Sequence, residues 1–224
     1  QGIRTALQLK RAGLAWIRER MTVTGERLVR ELRGEPCFRL EETPADRKSV
    51  VSSRSFGIPV TGVDELKEAL AMYAATAAAR LRAQKSLAGA LTVYITTSPF
   101  TGNTGYGDSA SVRFDEPTSD TGMIIQATGR LLTRIYRQGY RYVKAGVCLT
   151  DILPAGTLQL SLFRSDAERT RSDAVMSVMD SLNRRFGNGT IKSAAEGVAY
   201  RWRMRQTKRS PRYTTRWGEL PAVR

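Results

Sequence analysis

The sequence predicts an α+β fold built on a split β-α-β-β-α-β domain, in which two helices cover one face of a four-stranded sheet. Two observations predict it. Between Lys48 and Pro154, stretches that alternate apolar and polar residues interchange with stretches whose apolar residues recur every three or four positions. Each of the latter also opens on a helix-capping signal.

In order, Ser49 to Phe56 is a β-rich run that ends at Gly57. Thr61-Gly-Val-Asp64 reads as a helix cap, and behind it Val63, Leu66, Leu70, Tyr73, Ala77 and Leu81 keep helical spacing. Leu91, Val93 and Ile95 then alternate with Thr92, Tyr94 and Thr96, which is a half-buried strand. Gly102, Gly105 and Gly107 mark a long hairpin loop, after which Ala110, Val112 and Phe114 alternate with Ser111 and Arg113. Asp120 caps a second helix carrying Ile124, Ala127, Leu131 and Ile135, closed by Gly139. Last, Val143, Ala145, Val147 and Leu149 alternate with Tyr142, Lys144, Gly146 and Cys148. The apolar partners face the helices. The open face therefore receives Thr92, Tyr94, Ser111, Arg113, Tyr142 and Lys144, a set of hydroxyls and cations without carboxylates that suits a phosphate backbone.

The flanks differ. Residues 1–46 read as short helices: Leu28, Val29 and Leu32 form a narrow apolar stripe, Gly34 is placed to end the helix, and Pro36 stops it. A polar, proline-containing linker closes this part, and residues 47–157 form the α+β domain. Residues 158–172 read as a second linker. Residues 173–224 open with an amphipathic helix carrying Val175, Met179, Leu182 and Phe186, ended by Gly187-Asn-Gly189. From Tyr200 to Trp217 follow seven basic residues and no acid, with Trp202, Tyr213 and Trp217 interleaved.

Charge bounds the function. The chain has 224 residues, 36 Lys+Arg against 21 Asp+Glu, no histidine and a net charge of +15. Such an excess makes a polyanion the default partner, because lysine and arginine gain by displacing counterions from phosphates. The bland reading is a charge that serves solubility alone. Its placement argues for a partner: +2 over 1–46, +6 over 47–165 and +7 over 166–224. Cys37 and Cys148 are too few for a disulfide framework or a zinc site and fit a reducing cytosol. No apolar run approaches the roughly 18–20 residues that span a bilayer. With no signal peptide visible, the sequence predicts a cytoplasmic protein without a membrane partner.

Catalytic constellations are scarce. Without histidine, Ser-His and Cys-His pairing is ruled out. Asp115, Glu116 and Asp120 cluster in a turn and have the chemistry to bind Mg²⁺, but their place predicts turn-forming and capping duty. The glycine-rich loop lacks the GK[ST] ending of a phosphate-cradling loop. The basic aromatic tail fits phosphate contact with base stacking, and equally a solvated basic helix or a protein-docking segment.

Gln159-Leu-Ser-Leu-Phe163 is the most specific short stretch. It resembles the linear motif by which bacterial polymerases and repair proteins bind the β sliding clamp. That resemblance implies that Gln159 is hydrogen-bonded and that Leu160, Leu162 and Phe163 are the clamp-binding residues, the leucine and phenylalanine filling an apolar pocket.

Other segments extend the likeness. Gly2-Ile-Arg-Thr-Ala-Leu7 looks like the end of the helix-hairpin-helix in the thumb of a Y-family DNA polymerase. Arg30-Glu-Leu-Arg-Gly-Glu-Pro-Cys37, Ser53-Arg-Ser-Phe-Gly57, Thr97-Ser-Pro-Phe100, Ser109-Ala-Ser-Val112 and Lys144-Ala-Gly-Val147 are similar to the UmuC branch, the catalytic subunits of DNA polymerase V. Met179-Asp-Ser-Leu-Asn183 and Ser210-Pro-Arg-Tyr-Thr-Thr-Arg216 resemble that branch's C-terminal extension. The resemblance implies a thumb remnant, a little finger lying along a DNA duplex, a clamp-binding linker and the extension. On the open sheet face, Arg54, Ser55, Ser111, Arg113, Tyr142 and Lys144 are the residues expected to contact the DNA backbone. The resemblance also implies a parent enzyme that copies past damaged bases in the SOS response, with UmuD′ and RecA as partners. The palm, with its Mg²⁺-binding carboxylates, is expected upstream of Gln1, so this chain is expected to hold no cofactor and to run no polymerase chemistry itself. The rival expectation is a regulatory fragment that docks RecA or UmuD′ through its basic tail.

Overall fold

Helix and strand signals of the kind just read need partners to bury their apolar faces. The computed structural model describes residues 2–38, 46–98, 105–157, 166–198, 200–204 and 209–220, and the chain divides into two units, Gln1–Ala45 and Asp46–Arg224.

The first unit holds α1 (Ala6–Arg11) and α2 (Leu14–Leu32). Thr5 and Gln8 form a reciprocal capping box that satisfies the first free amides of α1. Thr22, at φ 62° and ψ −170°, interrupts α2. Gly34 does end that helix: at φ 91° its N–H donates to Glu31 O and the N–H of Glu35 donates to Arg30 O, so two orphan carbonyls are satisfied. Buried Ile17 and Val29 face inward, and the largely buried carboxylate of Glu26 is held by Arg18 at 3.3 Å and Arg30 at 2.8 Å.

The second unit has the predicted α+β fold. Its elements are β1 (Val50–Val60), α3 (Val63–Ala83), β2 (Ser86–Thr97), β3 (Gly107–Thr118), α4 (Thr121–Ile135), β4 (Tyr142–Pro154) and α5 (Asp166–Phe186). The sheet order is β1-β4-β2-β3 with every neighbouring pair antiparallel. Each β-α-β unit is thus split by one strand inserted between its two strands. Both α3 and α4 lie on one face. Leu66, Leu70, Tyr73, Ala77 and Leu81 of α3 meet Leu91, Val93, Ile95, Ala145, Val147 and Leu149 of the sheet in one core. Each fully buried leucine or valine contributes about 1.5–3 kcal/mol. Asp120 caps α4 as read, accepting from Met123 N at 2.8 Å. The cap of α3 differs: Gly62 occupies the position without a side-chain bond, and Asp64 and Glu65 place negative charge in the first turn.

Two later segments complete this unit. The amphipathic helix is present as α5, but polar groups rather than the apolar stripe hold it. Arg82 grips Asp180 with two bonds of 2.7 and 2.8 Å, Arg169 pairs with Glu116 at 2.7 Å, and Ser172 donates to Asp120. Val175 and Phe186 of the predicted stripe stay more than half exposed. Further on, Trp202 is only 3% exposed and sits edge-on against Phe56, Tyr73 and Tyr200, with ring centroids 5.8–5.9 Å apart. Its carbonyl accepts from Gly57 N at 3.0 Å, which covers part of the outer edge of β1.

Candidate nucleic-acid interface

Residues paired across an antiparallel ladder point to the same face, so the register fixes what the open side of the sheet displays. Three rows cross it. One runs Ser55, Lys144, Thr96; the next Ser53, Gly146, Tyr94, Ser109; the third Val51, Cys148, Thr92, Ser111. Arg113, opposite Ala90, stands beyond the third row. Thr92 and Ser111 share a hydroxyl hydrogen bond of 2.8 Å. Burial pushes the Cys148 thiol up, which keeps it neutral among these hydroxyls.

Gly146 shapes the centre. A Cβ there would lie 2.4 Å from Ser53 Cβ and 2.6 Å from Tyr94 Oη. The Tyr94 ring therefore lies across the bare backbone of Gly146 and reaches Ser53, spanning three strands. Gly146→Ala is expected to lever this ring off the sheet and to cost about 1–3 kcal/mol in a thermal or urea melt. A variant as stable as the parent would mean that Tyr94 has another place to go.

The structure places Ser55, Ser111, Arg113 and Lys144 on the open face and corrects three parts of the sequence reading. Tyr142 is not on that face; it is fully buried. Across β2, Thr96 pairs with Lys144 but Thr97 pairs with Tyr142, so one extra residue, Val143, sits in β4. This bulge reverses the alternation and turns Tyr142 inward. There its hydroxyl accepts from Arg137 N at 2.9 Å and donates to Arg137 O at 3.0 Å, and burial raises its pKa. Arg54 is exposed but lies opposite Ala145, hence on the helix side of edge strand β1, where it donates to Ser53 O at 2.9 Å. Finally, the face is not free of carboxylates: Asp151 reaches Arg113 at 2.6 Å and offsets its charge.

Ser53, Thr96 and Ser109 join the site although the sequence did not single them out. Their signal was the step of two from Ser55 and Ser111, and of four from Thr92. The candidate clamp residues Gln159, Leu160, Leu162 and Phe163 lie outside the described residues. The carboxylate cluster is otherwise engaged: Glu116 holds Arg169 and Asp120 caps α4. Among the described residues no group of three or more His, Cys, Asp or Glu side chains is arranged to hold a metal ion. None of the described helices is long and apolar enough to cross a membrane.

The sequence profile of the impB/mucB/samB family C-terminal domain matches residues 47–162, just over half of the chain, and the chain belongs to that family. A domain of unknown function (DUF4113) matches residues 173–223. Among curated relatives, Protein UmuC of Salmonella typhimurium strain LT2 and Protein SamB of Salmonella typhimurium are each 43% identical over 224 residues, all of this chain and 53% of the relative. Protein MucB of Escherichia coli is 40% identical over 221 residues, 98% of this chain and 52% of the relative. The resemblance to the UmuC branch thus holds along the full chain, which spans about half the length of the curated relatives it matches.

Proposed function

We propose that residues 47–157 grip a DNA duplex through the open sheet face, and that residues 159–163 tether the chain to a sliding clamp, as the supporting half of a translesion polymerase of the SOS response. The observation that carries this reading is the row structure of the open face. Hydroxyls from β1, β2 and β3 flank Lys144 of β4 at solvent level, with Arg113 at one end. Hydroxyl and ammonium donors at ladder spacing meet phosphate oxygens and read no base edges. Binding is therefore expected to be weak and nearly indifferent to sequence. Family membership supports the polymerase context, and UmuD′ and RecA are the partners that context brings.

Salt dependence tests the assignment. Lys144→Ala is expected to flatten the slope of log K against log salt by about one unit, the share of one neutralised phosphate. Arg54→Ala, on the helix side, is expected to change it less. Filter binding or fluorescence anisotropy with a duplex of arbitrary sequence measures both. An Arg54→Ala effect larger than that of Lys144→Ala would move the contact from the open face to the edge of β1.

A further inference from the structure

The basic run near the C-terminus divides its aromatic residues between two environments. Trp202 is 3% exposed and anchored in the core, whereas Trp217 is 90% exposed. Yet hydrogen bonds and ion pairs tie together the chain around Trp217. Glu219 accepts from Arg212 N at 2.6 Å and pairs with the guanidinium groups of Arg212 at 3.3 Å and Arg216 at 3.6 Å. Thr215 N and Arg216 N both donate to Arg212 O, closing a turn. That single carboxylate faces three arginines between residues 209 and 219, so the turn keeps a positive balance. Arg212 and Arg216 remain 44% and 61% exposed in the same turn.

We propose that this turn is a second nucleic-acid site, one that takes single-stranded nucleic acid by stacking a base on Trp217 while Arg209, Arg212 and Arg216 hold the adjoining phosphates. Charge complementarity selects the occupant, since an exposed aromatic ring in an arginine-bearing turn matches an unpaired base between phosphates. A duplex conceals its base faces and offers such a ring nothing to stack on. A protein-binding anchor belongs instead in the centre of a desolvated patch, and here the immediate neighbours of Trp217 are Arg216 and Gly218. Tyr213, about half exposed, provides a second ring in the same turn. The site shares no residue with the open sheet face.

Titration of the full chain with a thymidine oligonucleotide tests the proposal, because stacking quenches tryptophan emission. Emission from the parent chain is expected to fall on binding, and Trp217→Ala is expected to lose that quenching and to bind the oligonucleotide roughly fivefold or more weakly. Trp217→Phe should recover much of the affinity, since phenylalanine keeps a stacking face. A blunt duplex of equal length should bind the parent and Trp217→Ala alike. Equal oligonucleotide affinity for the parent and Trp217→Ala overturns the proposal and leaves the ring to a protein partner. Quenching that persists in Trp217→Ala overturns it as well, placing the strand beside Trp16 or Trp202.

Discussion

Trp202→Ala is expected to cost about 3–5 kcal/mol of stability in the second unit, the range for truncating a buried tryptophan. The indole joins Phe56 of β1 and Tyr73 of α3, so its removal opens a cavity between a strand and a helix and weakens the segment that covers β1. Two polar atoms at this junction, Tyr73 Oη and Trp202 Nε1, have no hydrogen-bond partner among the described residues, and burial pushes the Tyr73 hydroxyl up to about 12. Packing therefore carries the junction. Trp202→Phe, which keeps an aromatic ring, should lose clearly less than Trp202→Ala. Urea titration followed by circular dichroism measures both. An unchanged midpoint for Trp202→Ala would show that the ring leaves the core in solution.

Clamp binding should be abolished by Leu162→Ala combined with Phe163→Ala. In a partner's pocket each side chain anchors about 2 kcal/mol or more, so losing both weakens binding roughly a thousandfold. The peptide must also surrender chain entropy, which holds the parent affinity to the micromolar range or thereabouts. The competing assignment makes these residues a buried edge strand of the preceding domain. Calorimetry against purified clamp and a melting curve of the double variant decide the matter. Lost clamp binding with an unchanged melt supports a tether. A lowered melting temperature, with no clamp binding even by the parent, supports a buried strand.

The fold was legible because its signals are local. Leu91, Val93 and Ile95 alternate without interruption, the α3 stripe repeats over five turns, and Asp120 is a helix cap by its chemistry alone. The site was legible only where alternation ran unbroken, as at Thr92, Tyr94 and Ser111. Tyr142 was misplaced because a bulge is a property of two strands together, and Val143 carries no mark of being the extra residue. Arg54 and Ser55 are adjacent, so they must point to opposite faces; the register against β4, invisible in one strand, decides which is which. Trp202 was hidden for another reason. A cation-rich run reads as solvated, and only the three-dimensional neighbourhood of Phe56 and Tyr73 shows that one of its rings belongs to the core.

That distant closure has a consequence for synthesis. All four strands have been made once residue 154 has left the ribosome, yet the edge of β1 and the rings of Phe56 and Tyr73 wait for Trp202, nearly fifty residues later. During that interval the nascent domain carries a sticky strand edge and an unfilled apolar niche, features that draw chaperones, proteases or a second nascent chain. A product of premature termination between the sheet and Trp202 keeps the same flaw for good. Chains cut short before Trp202 are therefore expected to be degraded more readily than chains that include it.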